Sequence, residues 1–251
     1  IAHTYGGGGS GEGAHLRDEI PVVTGDAGGV DRSGSLSRNN VHMLNFSGAP
    51  ATLILLILNV LVSLYALFFD PGLVDRFSFR PREILQGKQY YRLITAGFVH
   101  AGLGHLLFNM ITLFFFGPTM EAVLGTGSFF ILYFGSELAA HGLTLYLQRD
   151  NPRYAAIGAS GAVSGVVFAF CLVNPFAPIY LFFIPIGIPA ILFAVIYVLG
   201  SVYSMRIGRE QGANVGNIAH EAHVGGALGG VILTLLLEPA VLPHFLNEIG
   251  F

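Results

Sequence analysis

Three short clusters of polar residues interrupt an otherwise apolar chain, and their side chains suit nucleophilic hydrolysis. His100-Ala-Gly-Leu-Gly-His105-Leu-Leu-Phe-Asn109 opens one apolar stretch. Gly158-Ala159-Ser160-Gly161 opens a second, and His220-Glu221-Ala222-His223-Val224-Gly225-Gly226 a third. A serine hydroxyl becomes a nucleophile when an imidazole within hydrogen-bond reach takes its proton. Ser160 and His223 are the candidate pair. Ionisable side chains inside apolar spans are costly, so each cluster raises a functional question by its presence alone.

The spacings narrow that question. His105 and Asn109 stand four apart and share a helical face, with His100 in the approach to them. Taken alone, this pair reads equally as glue between neighbouring helices. Ser160 lies among small residues at an expected helix start, where a serine is commonly an N-cap. Ser164, one turn later, reads as a packing residue. The glycines weigh between these readings. Gly225 with Gly229, and Gly226 with Gly230, follow His223 at spacings of four, as Gly161 and Gly165 follow Ser160. Small residues so spaced let two helices approach closely in lipid. If the two faces meet, Ser160 and His223 arrive opposite one another at similar depth. The alternative is a glycine zipper with an incidental polar cap.

The elements that must hold these groups follow from composition. Of 251 residues 53% are hydrophobic and only 11% are Asp, Glu, Lys or Arg, against about 25% charged in an ordinary soluble domain. With a mean hydropathy of +0.66, the chain reads as a polytopic membrane protein. A net charge of −3 leaves no basic field for nucleic acid. A single cysteine, Cys171, excludes a disulfide framework and a cysteine-built zinc site. A crossing helix needs roughly 20 mostly apolar residues. Such stretches are expected at 49–69, 103–120, 128–147, 157–173, 179–203 and 217–237, with Asn174-Pro175 and Pro178 dividing the fourth from the fifth. The expected fold is all-α, a six-transmembrane-helix bundle over 46–240 with a short tail at 241–251. Residues 1–45 are glycine-rich and are expected to be disordered. Residues 1–42, ahead of Met43, are expected to take no part in the chemistry and hold no secretory apolar run.

In combination these residues resemble the rhomboid family of intramembrane serine proteases. The resemblance runs over roughly 53–237. It is carried by Arg92-Leu-Ile-Thr95 leading to Phe98-Val-His100, by His105 with Asn109, and by Gly117 with Glu121. Gly158-Ala-Ser160-Gly161 and Ala222-His223-Val-Gly225-Gly226 complete it. It implies a six-helix core with Ser160 as nucleophile and His223 as general base. His105, Asn109 and the backbone amide of Ser160 match the oxyanion hole, and Gly158 matches the glycine that begins the nucleophile motif. Substrates would be single-span membrane proteins with small or helix-weakening residues near the cut in their transmembrane helix. No cofactor or metal is expected, and the location is expected to be the cell (plasma) membrane. One position departs from the pattern: where the family often carries an aromatic that packs on the catalytic imidazole, this chain has Ser164. Phe168 or a residue of another span is the expected substitute.

The implied chemistry is a Ser-His dyad, since no Asp is placed to orient the imidazole, and its water would reach a pocket sunk near one membrane face. The family's usual orientation, amino end inside, puts nine of the twelve Lys and Arg in outward connections, against the positive-inside tendency. Two rivals remain. A metal enzyme on His220, Glu221 and His223 would need His-Glu-x-x-His, and the i,i+3 spacing here fits that site poorly. The other is non-enzymatic: a transporter, though no internal repeat is seen, or a catalytically inactive rhomboid-like chaperone that binds client helices, although inactive relatives generally lack the serine or the histidine. Glu121 is expected to cap or pair at its helix end. Glu137 is expected to pair with His141 or a neighbouring helix, and Asn59 to join helices.

Overall fold

The computed structural model describes residues 48–180, 186–210 and 219–251; the expectation for residues 1–45 therefore lies outside the described residues. Ten α-helices are found among these residues. The first is α1 (Pro50–Phe68), followed by three short helices α2 (Gly72–Phe77), α3 (Pro81–Leu85) and α4 (Arg92–Thr95) and a 3-10 turn at Ala96–Phe98. Two long helices come next, α5 (Leu103–Leu124) and α6 (Thr126–Gln148), and then the short α7 (Ser160–Val173). After α7 come α8 (Ala190–Glu210), α9 (His220–Leu237) and α10 (Val241–Glu248).

By length and composition, α1, α5 and α9 are apolar enough to cross a membrane, while α7 and the 190–206 part of α8 are shorter apolar helices. The span expected at 157–173 begins only at Ser160 and is 14 residues long. The span expected at 179–203 is displaced more. Pro178–Tyr180 (β1) pairs antiparallel with Gly187–Pro189 (β2), in register Ile179 to Ile188, and the helix starts at Ala190. Prolines at both strand ends deny a helix its amide donors, and isoleucine favours the extended form. Continuous hydropathy could not show that break.

The core is a triangle of α6, α7 and α9, and glycines make it possible. A Cβ on Gly226 would stand 2.8 Å from the carbonyl carbon of Gly161, and one on Gly230 would stand 2.6 Å from that of Gly165. On the other side of α9, a Cβ on Gly225 would stand 2.9 Å from Ala139 O and one on Gly229 2.5 Å from Ala139 Cβ. Gly161 faces Ala140 in the same way, at 2.6 Å. Backbones that touch along two faces gain dispersion contacts in lipid, where no hydrophobic force pulls helices together.

Polar groups sew up the ends. At one end Glu121 accepts hydrogen bonds from Ala51 N, Thr52 N and Thr52 Oγ1 of α1 and from Thr126 Oγ1 of α6. It thereby caps a helix whose own N-cap, Ala49, has no side-chain bond. Asn59 Nδ2 donates to Leu55 O and to Tyr133 Oη across to α6. At the end of α7, His244 of α10 bonds to Val173 O.

Gly226→Ala is expected to destabilise the bundle by about 1–3 kcal/mol, because the new methyl meets backbone rather than a mobile side chain. Gly142→Ala, with nothing within 4 Å of its Cβ position, is expected to cost no stability. Thermal unfolding in detergent compares the two; equal midpoints would contradict the packing described.

Candidate active site

The expected site residues collect at one end of the bundle, around the first turn of α7. The glycine contact sets their level. Ala222 O, one residue before His223, lies 3.8 Å from the Cβ position of Gly161, one residue after Ser160. No helix stands between the two backbones. His223 and Ser160 are both half-buried. Among the described residues no hydrogen bond joins the Ser160 hydroxyl to His223.

The start of α7 has no side-chain cap of its own, so the four amides that an α-helix leaves unbonded must look elsewhere. Ala159 N–H donates to His100 Nε2 at 3.3 Å and Ala162 N–H to Glu137 Oε2 at 2.8 Å. The next amide, Val163 N–H, closes the first turn on Ala159 O. Between them the amides of Ser160 and Gly161 have no acceptor among the described residues. Two donors, at the positive end of a helix, thus remain for an anion.

His100 is fully buried, and its bonds fix its tautomer. Ser63 Oγ lies 2.9 Å from Phe98 O and 2.8 Å from His100 Nδ1. A carbonyl only accepts, so the serine proton goes to Phe98 and His100 donates from Nδ1–H. Its Nε2 is then bare and accepts from Ala159. Burial, with His105 beside it as a lesser cause, lowers the His100 pKa to about 3. The ring holds the start of α7 as a neutral acceptor.

His105 packs against Gly158, where a Cβ would come 2.5 Å from His105 Cε1. Gly158 also has φ of +112°, which a side chain would strain. Asn109 is buried, and its Nδ2 donates to His105 O within α5 at 3.0 Å. The amide nitrogen keeps one further proton. The structure therefore brings His105 to the loop that delivers Ser160, with Asn109 one turn behind it.

What holds His223 was not legible in the spacing. The Tyr197 ring of α8 lies 5.8 Å from the His223 ring, 31° from parallel, and its hydroxyl bonds to Ser164 Oγ at 2.7 Å. Phe168, the other expected candidate, packs on Tyr197 at 5.5 Å. Ser164 is thus more than packing: the small polar residue makes room for a tyrosine from another helix and anchors it. His220 meets His223 edge-on at 5.9 Å. Among the described residues no three His, Cys, Asp or Glu converge as a metal site.

The segment before α5 docks on this end. Phe79 and Ala156 exchange backbone hydrogen bonds, and Gly158 N–H donates to Ala96 O. Arg92 is buried, donating to Asp75 O, Ser78 O and Gln89 Oε1. Arg76 pairs with Asp70 and Arg80 with Asp75.

The pH consequence of His100 has a definite sign. Its folded pKa lies below its unfolded value of about 6.5, so its contribution is complete above pH 6.5 and is lost as pH falls towards 3. The thermal midpoint in detergent is expected to drop over that window. In His100→Gln, whose amide can accept from Ala159 and donate to Ser63, the drop is expected to be smaller; equal pH dependence in both proteins would contradict the assignment.

Comparison with known proteins agrees with this architecture. The family model described as "Rhomboid domain" matches residues 87–240. "Rhomboid protein 1, mitochondrial" of Saccharomyces cerevisiae is 30% identical over 204 residues, 78% of this chain and 56% of that protein. "RHOMBOID-like protein 12, mitochondrial" of Arabidopsis thaliana is 32% identical over 155 residues, 55% of this chain and 43% of that protein. "Rhomboid protease GlpG" of Photorhabdus laumondii is 26% identical over 226 residues, 88% of this chain and 73% of that protein. The chain spans about half the length of the first two. With two mitochondrial proteins among these relatives, the expected plasma-membrane location finds no support. With the domain model matched across more than half its length and apolar helices to go with it, the chain is an integral membrane protein that belongs to the rhomboid family.

Proposed function

We propose that this chain is an intramembrane serine endopeptidase acting on transmembrane helices of other membrane proteins. The observation that carries the reading is the backbone meeting of α7 and α9 at Gly161 and Gly226, which brings residues 160 and 223 to one level beside two amides with no acceptor. In this reading α1, α5, α6, α7, α8 and α9 are the six crossing helices, with the amino end inside. Three of the five cations at 70–102 are paired or buried, which weakens their pull on orientation.

Ser160 Oγ attacks a substrate carbonyl carbon while His223 takes its proton. The carbonyl oxygen becomes an oxyanion beside the Ser160 amide, with His105 and the remaining Asn109 Nδ2 proton as further donors. The protonated His223 then gives its proton to the leaving amine, and an acyl ester remains on Ser160. Water, deprotonated by His223, hydrolyses that ester and restores the hydroxyl. No carboxylate holds the imidazole among the described residues; Tyr197 does so by ring contact, fixed in turn by Ser164. Catalytic hydrogen bonds often tighten only when substrate binds, and the absence of a Ser160–His223 bond accords with that. The same absence is what a client-binding, catalytically inactive relative would display, and labelling separates the two readings.

A fluorophosphonate probe is expected to label the wild type at Ser160 and to leave Ser160→Ala unlabelled, with cleavage of a reporter helix lost in parallel. A wild type that neither labels nor cuts would leave the inactive reading. Asn109→Ala is expected to lower kcat by roughly 10²–10³-fold, as loss of one oxyanion donor does.

Tyr197→Phe keeps the ring and loses the anchor, so it is expected to retain more activity than Tyr197→Ala. Reporter cleavage checks the order, and Tyr197→Ala at wild-type rate would contradict the ring's role.

A further inference from the structure

Glu137 and His141 are buried in α6, with side chains 3% and 5% exposed. The dyad chemistry does not use them. Their surroundings are nonetheless those of the nucleophile. Glu137 Oε2 accepts from Ala162 N–H, two residues after Ser160. The same carboxylate lies 2.8 Å from the Cβ position of Gly97 and 2.9 Å from that of Gly161, so both glycines must stay bare for it to fit. On the far side, His141 Nε2 stands 3.5 Å from Glu137 Oε1, and Nδ1 lies 2.8 Å from Leu93 O. Phe79 stacks on the His141 ring at 4.6 Å and 12°. A continuous chain of contacts thus runs from the 79–97 segment through His141 and Glu137 to the first turn of α7.

The proton count of the pair follows from donor and acceptor chemistry. Leu93 O only accepts, so His141 carries its proton on Nδ1. A neutral ring would then turn a bare Nε2 towards a bare carboxylate oxygen 3.5 Å away, two lone pairs facing each other, with Oε1 left without a hydrogen-bond partner. Two protons between them would leave a buried net cation. One proton, on either atom, satisfies both. We propose that Glu137 and His141 share a single proton and act as a positioning pair, which sets the start of α7, and with it Ser160, against the docked 79–97 segment. The part about Ser160 rests on the protease reading.

The proposal distinguishes two substitutions of similar size. Glu137→Gln offers an oxygen to Ala162 and an amide proton to His141 Nε2, so it reproduces both contacts without charge. Glu137→Leu offers neither. Reporter cleavage is expected to stay close to wild type in Glu137→Gln. In Glu137→Leu it is expected to fall by about 10²-fold, through kcat with KM little changed, the scale of loss that misplacement of about 1 Å brings. Backbone hydrogen exchange at 160–163 is expected to quicken in Glu137→Leu and not in Glu137→Gln. His141→Phe, which leaves the carboxyl unpaired, is expected to behave like Glu137→Leu and serves if the latter does not fold. Unchanged exchange and cleavage in folded Glu137→Leu would overturn the proposal, and Glu137→Gln as impaired as Glu137→Leu would overturn the shared proton. A wild type without protease activity whose variants still follow the exchange pattern would sink the protease reading and support the positioning pair.

Discussion

A helix that begins inside a membrane protein has four amides to satisfy, and the first turn of α7 is governed by that need. Its N-cap residue is alanine, so nothing local can answer it. In hydrocarbon an unpaired amide costs several kcal/mol, and the groups that come to it arrive from far along the chain. His100 takes the outermost amide and Glu137 the innermost. The two left over, at Ser160 and Gly161, are those nearest the proposed nucleophile. A stronger local cap, such as a serine or aspartate at 159, would compete for the same amides and fill the space an oxyanion needs. The weak sequence-local cap is thus consistent with the proposed chemistry, and the distant acceptors are its structural counterpart.

Those acceptors can be distant only because the helices lie so close. With glycine at 161, 165, 226 and 230, the backbones of α7 and α9 touch, and α6 fits against both through Ser136, Ala139 and Ala140. Any side chain at those positions would separate the helices by an ångström or more. That is longer than the tolerance of the hydrogen bonds at the α7 start. Glycine is entropically costly within a helix, so its repetition here is explained by contact rather than by local preference.

Much of this was legible in the sequence, for reasons that differ from element to element. The long apolar runs of α1, α5 and α9 announce themselves, since lipid demands uninterrupted hydropathy. The glycine faces are legible because helical spacing projects directly onto one side of a helix. The clusters at 100–109, 158–161 and 220–226 stand out against an apolar background. The β1–β2 pair does not, because Ile179 and Ile188 are as apolar as the helix expected there and only their prolines argue otherwise. Tyr197 is invisible for a different reason. Its partner Ser164 lies in another helix, and no periodicity links the two. The relation is one of volume, a small residue on α7 admitting a large one from α8.

Helix α6, expected as a span at 128–147 and found at Thr126–Gln148, joins these points. It is 23 residues long, yet it is not among the helices apolar enough to cross a membrane by composition. Ser136, Glu137, His141 and Thr144 lower its hydropathy, and all four are buried. They face inward. Thr144 bonds back to its own helix, while Ser136 stands where a Cβ on Gly165 would lie. Glu137 and His141 reach α7 and the docked segment. A buried carboxyl without partners would be expelled by the low dielectric around it. What keeps Glu137 in place is the Ala162 amide on Oε2, with His141 Nε2 facing Oε1 at 3.5 Å. The polarity that makes α6 less apolar than α1, α5 and α9 is therefore the same polarity that fixes the neighbouring helix start.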